Sequence, residues 1–390
     1  MSPTGSSRAR RTPGDGPGRA RGVPDGEKEP RAATRRVTLA EVARRAGVSQ
    51  TTASFVLSGR REEMRISAQV EAKILRAVEE TGYRPNVVSR SLRTGSSHTI
   101  GFVSDTVATT PFAGHLIWGA LDAAREQGRL LLIAETEGDA ELETQLVETM
   151  RDRQVEGIVL ASMYTRWANV PRALLGGPSV LLNALSKKET SVPSVIPDEA
   201  EAGRCAARLL LEAGHREGIY VVGVGVDPVR TPKGSVAACE RLAGIEEAFG
   251  REGVRLSGGA FLGDWQPHGG YEATRGILSS RKQVRALICF NDRVSVGAYQ
   301  AVADAGLEVA RDVSVVSFDD EPVASWLRPG LTSVALPHYE LGRKAIEVLL
   351  ALDGASGSGK VHRVEMPLRV RESVGRSGAG LDRPARRAAK

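Results

Sequence analysis

Between residues 98 and 375, short apolar runs alternate with amphipathic segments, and this alternation constrains the fold more than any other feature. The runs read as strands: Ile100–Ser104, Leu130–Ala134, Gly157–Leu160, Ser179–Leu182, Ile219–Val222, Ala286–Phe290 and Val313–Ser317. Between them, helices are expected over Ala113–Gln127, Ala140–Arg151, Ala200–Leu211, Ala237–Arg251, Val294–Ala305 and Tyr339–Leu350. A strand without polar alternation is buried on both faces, which calls for a parallel sheet covered by helices front and back. About 280 residues exceed a single sheet of this kind, so an α/β body of two lobes is expected. Lobe 1 is assigned to about 98–197 and 325–352, and lobe 2 to about 198–324 and 353–375. Ligands of such sheets bind where strands end, between lobes.

The charge is divided along the chain. Of 390 residues, 53 are Lys or Arg and 47 Asp or Glu, for a net +6. Residues 1–36 carry +5, residues 37–95 carry +4 and the tail 376–390 carries +4, which leaves −7 on residues 96–375. A basic end on an acidic body suits a protein that meets a polyanion at one end only. Residues 1–36, rich in Gly, Pro, Arg and Ser, are expected to be a disordered basic tail, and 376–390 a flexible one. No run is long enough to span a membrane and no secretory core opens the chain, so a cytoplasmic location is expected. The three cysteines, Cys205, Cys239 and Cys289, are widely spaced and read as small hydrophobes.

Residues 37–82 have a different texture. Thr38 and Glu41 form a capping-box pattern that starts one helix. Gly47 marks a turn, and Ser49 caps a second helix from Gln50 to about Leu57. Val42, Ala43, Val48, Ala53 and Val56 are small enough for the two to cross closely. A third helix, capped by Ser67 and carrying Val70, Ile74 and Val78, completes the core. This is the helix-turn-helix pattern, whose second helix enters the major groove.

The segment VTLAEVARRAGVSQTTASFVLSG, followed by ILRAVEETGYRPNVVSRSLRTGSSHTIGFV, resembles the lactose/galactose repressor family of bacterial transcription regulators. The likeness continues through VEGIVL, EAGHREGIYVVG, ERLAGIEEAF, ALICFNDRVSVGAYQAV, DVSVVSFDDEP and LTSVALP, covering residues 37–375 in order. It implies a repressor that binds double-stranded operator DNA as a homodimer, with a periplasmic-binding-protein-like body that senses a small molecule, most simply a carbohydrate. Gln50 and Thr51 match the residues that reach base edges, and their amide and hydroxyl groups suit that readout. Ser49, Thr52 and Ser54 match phosphate contacts or caps, and Thr38 is counted with the DNA contacts. Phe55 stands where the family usually has Arg, and could pack inward or meet a thymine methyl. Residues 83–97 match the hinge helix, with Leu92 as a minor-groove wedge between Arg90 and Arg93. The tail has no heptad repeat, which points to a dimer rather than a tetramer.

For the effector, the resemblance carries over Asp105, Phe112 and Asn183 from the first lobe, and Arg241, Trp265, Asn291 and Asp319 from the second. Arg with Asp or Asn offers paired donors and acceptors to hydroxyls, and an aromatic face covers the C–H side of a sugar ring. Asn183 replaces an Asp common in the family.

Two motifs that suggest other functions fall away. Gly354–Lys360 copies the spacing of a phosphate loop, but Val361 stands where Ser or Thr must hold magnesium. Gly223-Val-Gly225 lacks the third glycine of a dinucleotide site, where Pro228 intervenes. The six histidines show no metal spacing. No metal, no cofactor and no enzymatic activity are expected. A free-standing periplasmic-type binding protein would share the body but leaves residues 37–95 without a purpose.

Overall fold

The computed structural model describes residues 37–84, 96–110, 113–225, 235–280, 283–352 and 359–377. The chain divides into two units, Met1–Asn86 and Val87–Lys390.

In the first unit, α1 (Leu39–Ala46), α2 (Gln50–Leu57) and α3 (Ala68–Thr81) enclose a small core. Val42, Ala43, Ala53, Val56, Ile74 and Ala77 are buried, with Val48, Val70 and Val78 packed around them. The chain turns from α1 to α2 at Gly47, where φ is +67°. Ser49 caps α2, accepting from the Thr52 N–H at 3.0 Å, and Ser67 caps α3. The capping box expected at Thr38 does not form. Thr38 has extended backbone at the N-cap, but its hydroxyl makes no cap bond. Glu41 instead lies 3.9 Å from the Arg44 guanidinium, which competes for its carboxylate. The Thr38 carbonyl accepts from the Glu41 and Val42 N–H groups at 3.1 and 3.3 Å.

The second unit contains two parallel sheets. The first joins β1 (Thr99–Ser104), β2 (Leu130–Glu135), β3 (Gly157–Ala168), β4 (Ser179–Ser186), β5 (Ser194–Pro197) and β11 (Val361–Val364), in the order β11-β5-β4-β3-β1-β2. The second joins β6 (Ile219–Gly223), β7 (Gly258–Phe261), β8 (Ala286–Cys289), β9 (Ser314–Asp319), β10 (Thr332–Ala335) and β12 (Leu368–Arg369), in the order β12-β10-β9-β8-β6-β7. All pairings are parallel except β10 with β12. Period-two alternation sends neighbouring residues into different cores. Ile100 and Phe102 face α4 (Gly114–Glu126) and α11 (His338–Leu350), whereas Val103 faces α5 (Ala140–Asp152). In the second sheet, Ile219 and Val221 face α6 (Glu199–Glu212) and α7 (Val236–Arg251). Tyr220 and Val222 face the core lined by α8 (Pro267–Ser279) and α9 (Asp292–Asp304). The central strands of each sheet are therefore dry on both faces, as the unbroken apolar runs require, whereas the edge strand β2, expected to be buried likewise, leaves Leu130 and Ile133 exposed. Among the described residues, no helix is long and apolar enough to cross a membrane.

The chain passes between the lobes three times: after β5, between β10 and α11, and between β11 and β12. These crossings correct the expected boundaries. Thr332–Ala335 pairs with β9 and so belongs to the second lobe, not to lobe 1. Val361–Val364 pairs with β5 and belongs to the first lobe, not to lobe 2. Short segments at a sheet margin carry too few apolar residues to show which sheet they join.

Candidate functional site

Two surfaces gather the residues singled out from the sequence. On α2, Ala53 and Val56 point into the core, while Gln50 and Thr51 are exposed. At 100° per residue, Gln50, Thr51, Ser54 and Phe55 share the face opposite Ala53 and Val56. Ser54 and Phe55 are half-buried. The Ser49 and Thr52 hydroxyls lie 2.8 Å apart at the start of the helix. Phe55 neither sinks into the core nor stands free: the Arg60 guanidinium lies over its ring, 5.4 Å from the centroid. Arg90, Leu92 and Arg93 of the expected hinge lie outside the described residues, as does Phe112.

The second surface is a cavity of about 1000 Å³ between the two sheets. Its second-lobe wall is charged. Arg241, on α7, is buried, and its Nε donates to Glu199 Oε2 at 2.8 Å while Nη2 lies 2.7 Å from the same oxygen. Its Nη1 donates to the Phe290 carbonyl at 2.5 Å, and the guanidinium lies over the Phe318 ring at 4.1 Å. The distance from Arg241 to Asp319 is 3.9 Å. Glu199, and not Asp319, is therefore the principal partner of Arg241. Glu199 opens α6, where a carboxylate ordinarily faces solvent beside the helix N-terminus. The crossing of α6 and α7 buries it instead. A methyl group on Gly203 would stand 2.1 Å from the Arg241 carbonyl oxygen, and one on Gly244 2.0 Å from that of Ala200. Only glycine permits the backbone contact that brings Glu199 to Arg241.

Asp319 ends β9 with φ at +100°, a conformation rare for a residue with a side chain. Burial pushes its carboxyl above the usual range, against the opposing pull of Arg241 and Arg293. Glu321 is pushed up to about 7 by burial and by Asp319, with Arg293 3.2 Å away drawing it back. Asn291 lines the cavity and caps α9, accepting from the Val294 N–H at 2.8 Å while its amide donates to the Trp265 carbonyl at 3.2 Å. The Trp265 indole N–H donates to the Gly223 carbonyl at 3.2 Å, and its ring meets Phe290 edge-on at 5.9 Å. Trp265 thus lines the cavity with an orientation fixed from behind.

Along β3 and β4 the first-lobe wall is uncharged. Between the pairs Ala161–Leu182 and Arg166–Ala184, β3 bulges, so that Ser162–Thr165 lie across from Asn183 alone. Asn183 takes φ of +52°, which asparagine tolerates better than most residues. Asn183 and Thr165 are both 1% exposed and line the cavity, yet Asn183 Oδ1 and Thr165 Oγ1 have no hydrogen-bond partner among the described residues. Buried polar atoms are nearly always bonded, so each of these two carries an unmet cost just behind the cavity wall. His338, at the second crossing, is pushed down to about 4 by burial and by His115, so it presents a neutral imidazole.

Of the residues expected to bind effector, Asn183, Arg241, Trp265, Asn291 and Asp319 converge on this cavity. Asp105 does not line it. Its carboxylate accepts from the Thr106 N–H at 2.6 Å and pairs with Arg166 at 3.3 Å, which occupies it within the first lobe. Sequence reasoning missed Glu199, Thr165, Arg293, Glu321 and His338. The short helix α10 (Pro322–Trp326) was missed as well, and it adds Trp326 to the mouth, 71% exposed.

Comparison with known proteins agrees with both surfaces. Residues 97–364 match the family described as periplasmic binding proteins and sugar binding domain of LacI family. Residues 38–86 match bacterial regulatory proteins, lacI family. The HTH-type transcriptional regulator AscG of Escherichia coli K12 is 32% identical over 329 residues, 82% of this chain and 94% of that protein. The ribose operon repressor of the same organism is 30% identical over 345 residues, covering 85% and 94%. Among solved structures, the lac repressor dimer bound to operator and the anti-inducer ONPF superposes with a TM-score of 0.72 at 25% identity, covering 87% of this chain and 99% of that one. The transcriptional regulator CelR–cellobiose complex gives 0.59 at 28% identity, covering 87% and 100%.

Proposed function

The chain belongs to the LacI family of bacterial regulatory proteins, and from that membership and its two surfaces we infer how it works. It is a sequence-specific DNA-binding transcriptional repressor, not an enzyme, and it acts on operator DNA as a homodimer whose affinity a small molecule controls. As a regulator of transcription it works in the cytoplasm, beside its operator.

Residues 37–82 form the DNA reader, 83–97 the hinge and 98–375 the body, with basic tails at 1–36 and 376–390. Gln50 and Thr51 read base edges, Ser54 and Phe55 share their face, and Thr38, Ser49 and Thr52 sit near phosphates. In the hinge, Leu92 enters the minor groove while Arg90 and Arg93 flank it. The effector fills the cavity between the lobes, held by Asn183 and Thr165 on one wall and by Arg241, Asp319 and Trp265 on the other. Asn291 acts by fixing Trp265.

The observation that carries this reading is the pairing of walls: Thr165 and Asn183 line one side of the cavity whose other side carries Arg241, Asp319 and Trp265. Carboxylates outnumber guanidiniums on the lining, since Glu199, Asp319, Asp320, Glu321 and Glu340 stand against Arg241 and Arg293. Both lining guanidiniums are already engaged, Arg241 by Glu199 and Arg293 by Glu321, which disfavours an anion. The effector is accordingly a neutral polyhydroxylated compound, a sugar rather than a sugar phosphate. A ligand touching both walls favours one lobe arrangement over another, and that difference in affinity is all the coupling requires.

The test is a thermal-shift screen of the full chain with neutral sugars and their phosphates, followed by operator-binding assays on its own upstream DNA. A neutral sugar at about 100 times its Kd should add about 2.7 kcal/mol and change operator affinity. Asp319→Asn should abolish that response while leaving operator binding without sugar unchanged. Stabilisation by a sugar phosphate and not by its neutral parent would reject this reading.

A further inference from the structure

We propose that Arg60, seated on Phe55, is a base-reading side chain of this repressor and supplies at second hand the arginine that position 55 lacks. The proposal rests on the assignment of α2 as the reading helix and extends it to a residue outside that helix.

The backbone dictates the placement. Helix α2 ends in a paired-bond C-cap: the Gly59 N–H donates to the Val56 carbonyl at 3.0 Å and the Arg60 N–H to that of Phe55, also at 3.0 Å. This motif needs a left-handed residue just past the helix, and Gly59 has φ of +74°. It brings the residue after the glycine back over the third residue from the helix end, ordinarily for a contact between apolar side chains. Here the two are Arg60 and Phe55, and the contact is a guanidinium over an aromatic face. The stack is therefore built into the helix end and exists before any DNA arrives.

The guanidinium is also held from its side. Arg60 Nε donates to Glu63 Oε2 at 2.7 Å, the one polar contact of that side chain among the described residues. Both terminal amino groups retain their N–H donors. An arginine held by its ring stack and its Nε has a preset orientation, so little freedom remains to be lost on binding. Its fork matches the O6 and N7 acceptors of guanine in the major groove. Phe55 shares a face with Gln50 and Thr51, so the guanidinium is presented on the side that would meet bases.

The experiment is selected-site binding of the full chain, with affinity measured across a salt series, for Arg60→Lys, Arg60→Ala, Phe55→Leu and, as a control, Gln50→Ala. Arg60→Lys keeps the charge and loses the fork. It should erase a guanine preference at one position per half-site and weaken the best site by roughly 5- to 150-fold, with the salt slope unchanged. Phe55→Leu should weaken the same preference, because the platform is gone. If Arg60→Ala weakens all sequences alike and lowers the salt slope by about 0.9 per half-site, Arg60 is a phosphate contact and the proposal fails. It fails equally if Phe55→Leu removes a thymine preference that Arg60→Lys leaves intact. In either case a changed profile for Gln50→Ala shows that the reading helix still stands; an unchanged one removes that assignment as well.

Discussion

The two lobes share one strand order and contribute opposite chemistry to the cavity between them. Each sheet runs in the same sequence of neighbours, and the central strands of each are dry on both faces. Yet from β3 and β4 the first lobe lends the uncharged Thr165 and Asn183, whereas the second lends charged groups in pairs, Glu199 with Arg241 and Glu321 with Arg293, and Asp319 at 3.9 Å from Arg241. Ionised groups are costly to bury unless paired, so the second wall must be assembled as part of the folded lobe. Amide and hydroxyl groups cost less, and the first wall can leave them open for a ligand. The difference predicts that the second wall carries both stability and recognition, and the first recognition alone.

The largest effect should come from Arg241→Ala. It strands Glu199 as a buried carboxylate, and breaking such a pair costs about 3–5 kcal/mol. Thermal melts without ligand should record that loss directly. The Glu199 pair makes it a folding variant and not merely one that ignores effector. A melt matching wild type would mean that the second wall is no more structural than the first.

Next in size is a pH effect confined to the second lobe. Asp292 opens α9 fully buried, and burial together with Asp319 lifts it to about 8, while Glu321 is lifted to about 7. Unfolded carboxyls titrate near 4, so between pH 4 and 8 these two groups hold more protons in the folded chain, whereas His338, held down to about 4, holds fewer below about pH 6.5. The stability that the two carboxyls contribute is full below about pH 4 and declines as pH rises toward 8, by at most about 1.4 kcal/mol per pH unit for each proton. The Ser333 hydroxyl at 2.8 Å and the Glu321 N–H at 2.6 Å also serve the ionised form of Asp292 and make the slope shallower. Above about pH 6.5, where His338 no longer opposes them, melts of wild type should slope downward to pH 8, and those of Asp292→Asn should be flatter. A slope of the opposite sign would contradict the assignment.

The smallest effect on stability should be that of Asn183→Ala. Removing an unpartnered oxygen relieves a cost, the left-handed backbone adds one, and the melt should stay within about 1 kcal/mol of wild type. Effector affinity, read by calorimetry, should fall about tenfold for the lost hydrogen bonds. A variant that melts far lower but binds effector normally would reverse the contrast between the lobes.

Much of this architecture is legible in the residues themselves. Continuous apolar runs such as Ile100–Ser104 and Ile219–Val222 require strands buried on both faces, and they lie where the runs lie. The three-helix reader follows from its caps, its turn glycine and the spacing of Val42, Ala53, Val56 and Ile74. Gln50 and Thr51 are named by the family resemblance, and local periodicity adds that they face outward from a short helix. Asn183, Trp265 and Asp319 are likewise named by the resemblance; Asp319 ends β9, whereas Asn183 lies inside β4.

Tertiary structure decided the rest, because the signals involved are not local. Ser194–Pro197, Val361–Val364 and Leu368–Arg369 are short and mixed in polarity, and only their hydrogen-bonding neighbours make them strands of one lobe or the other. Glu199 reads in sequence as an ordinary acid at a helix start. It becomes the partner of Arg241, 42 residues away, because Gly203 and Gly244 let two helices touch backbone to backbone. Asp105 has the right residue type and place, but Arg166, brought across from β3, takes its carboxylate. Composition and periodicity determine which residues are buried and which helix faces outward. Which buried charge meets which, and which polar atom is left open to a ligand, depends on contacts between segments that the sequence keeps apart.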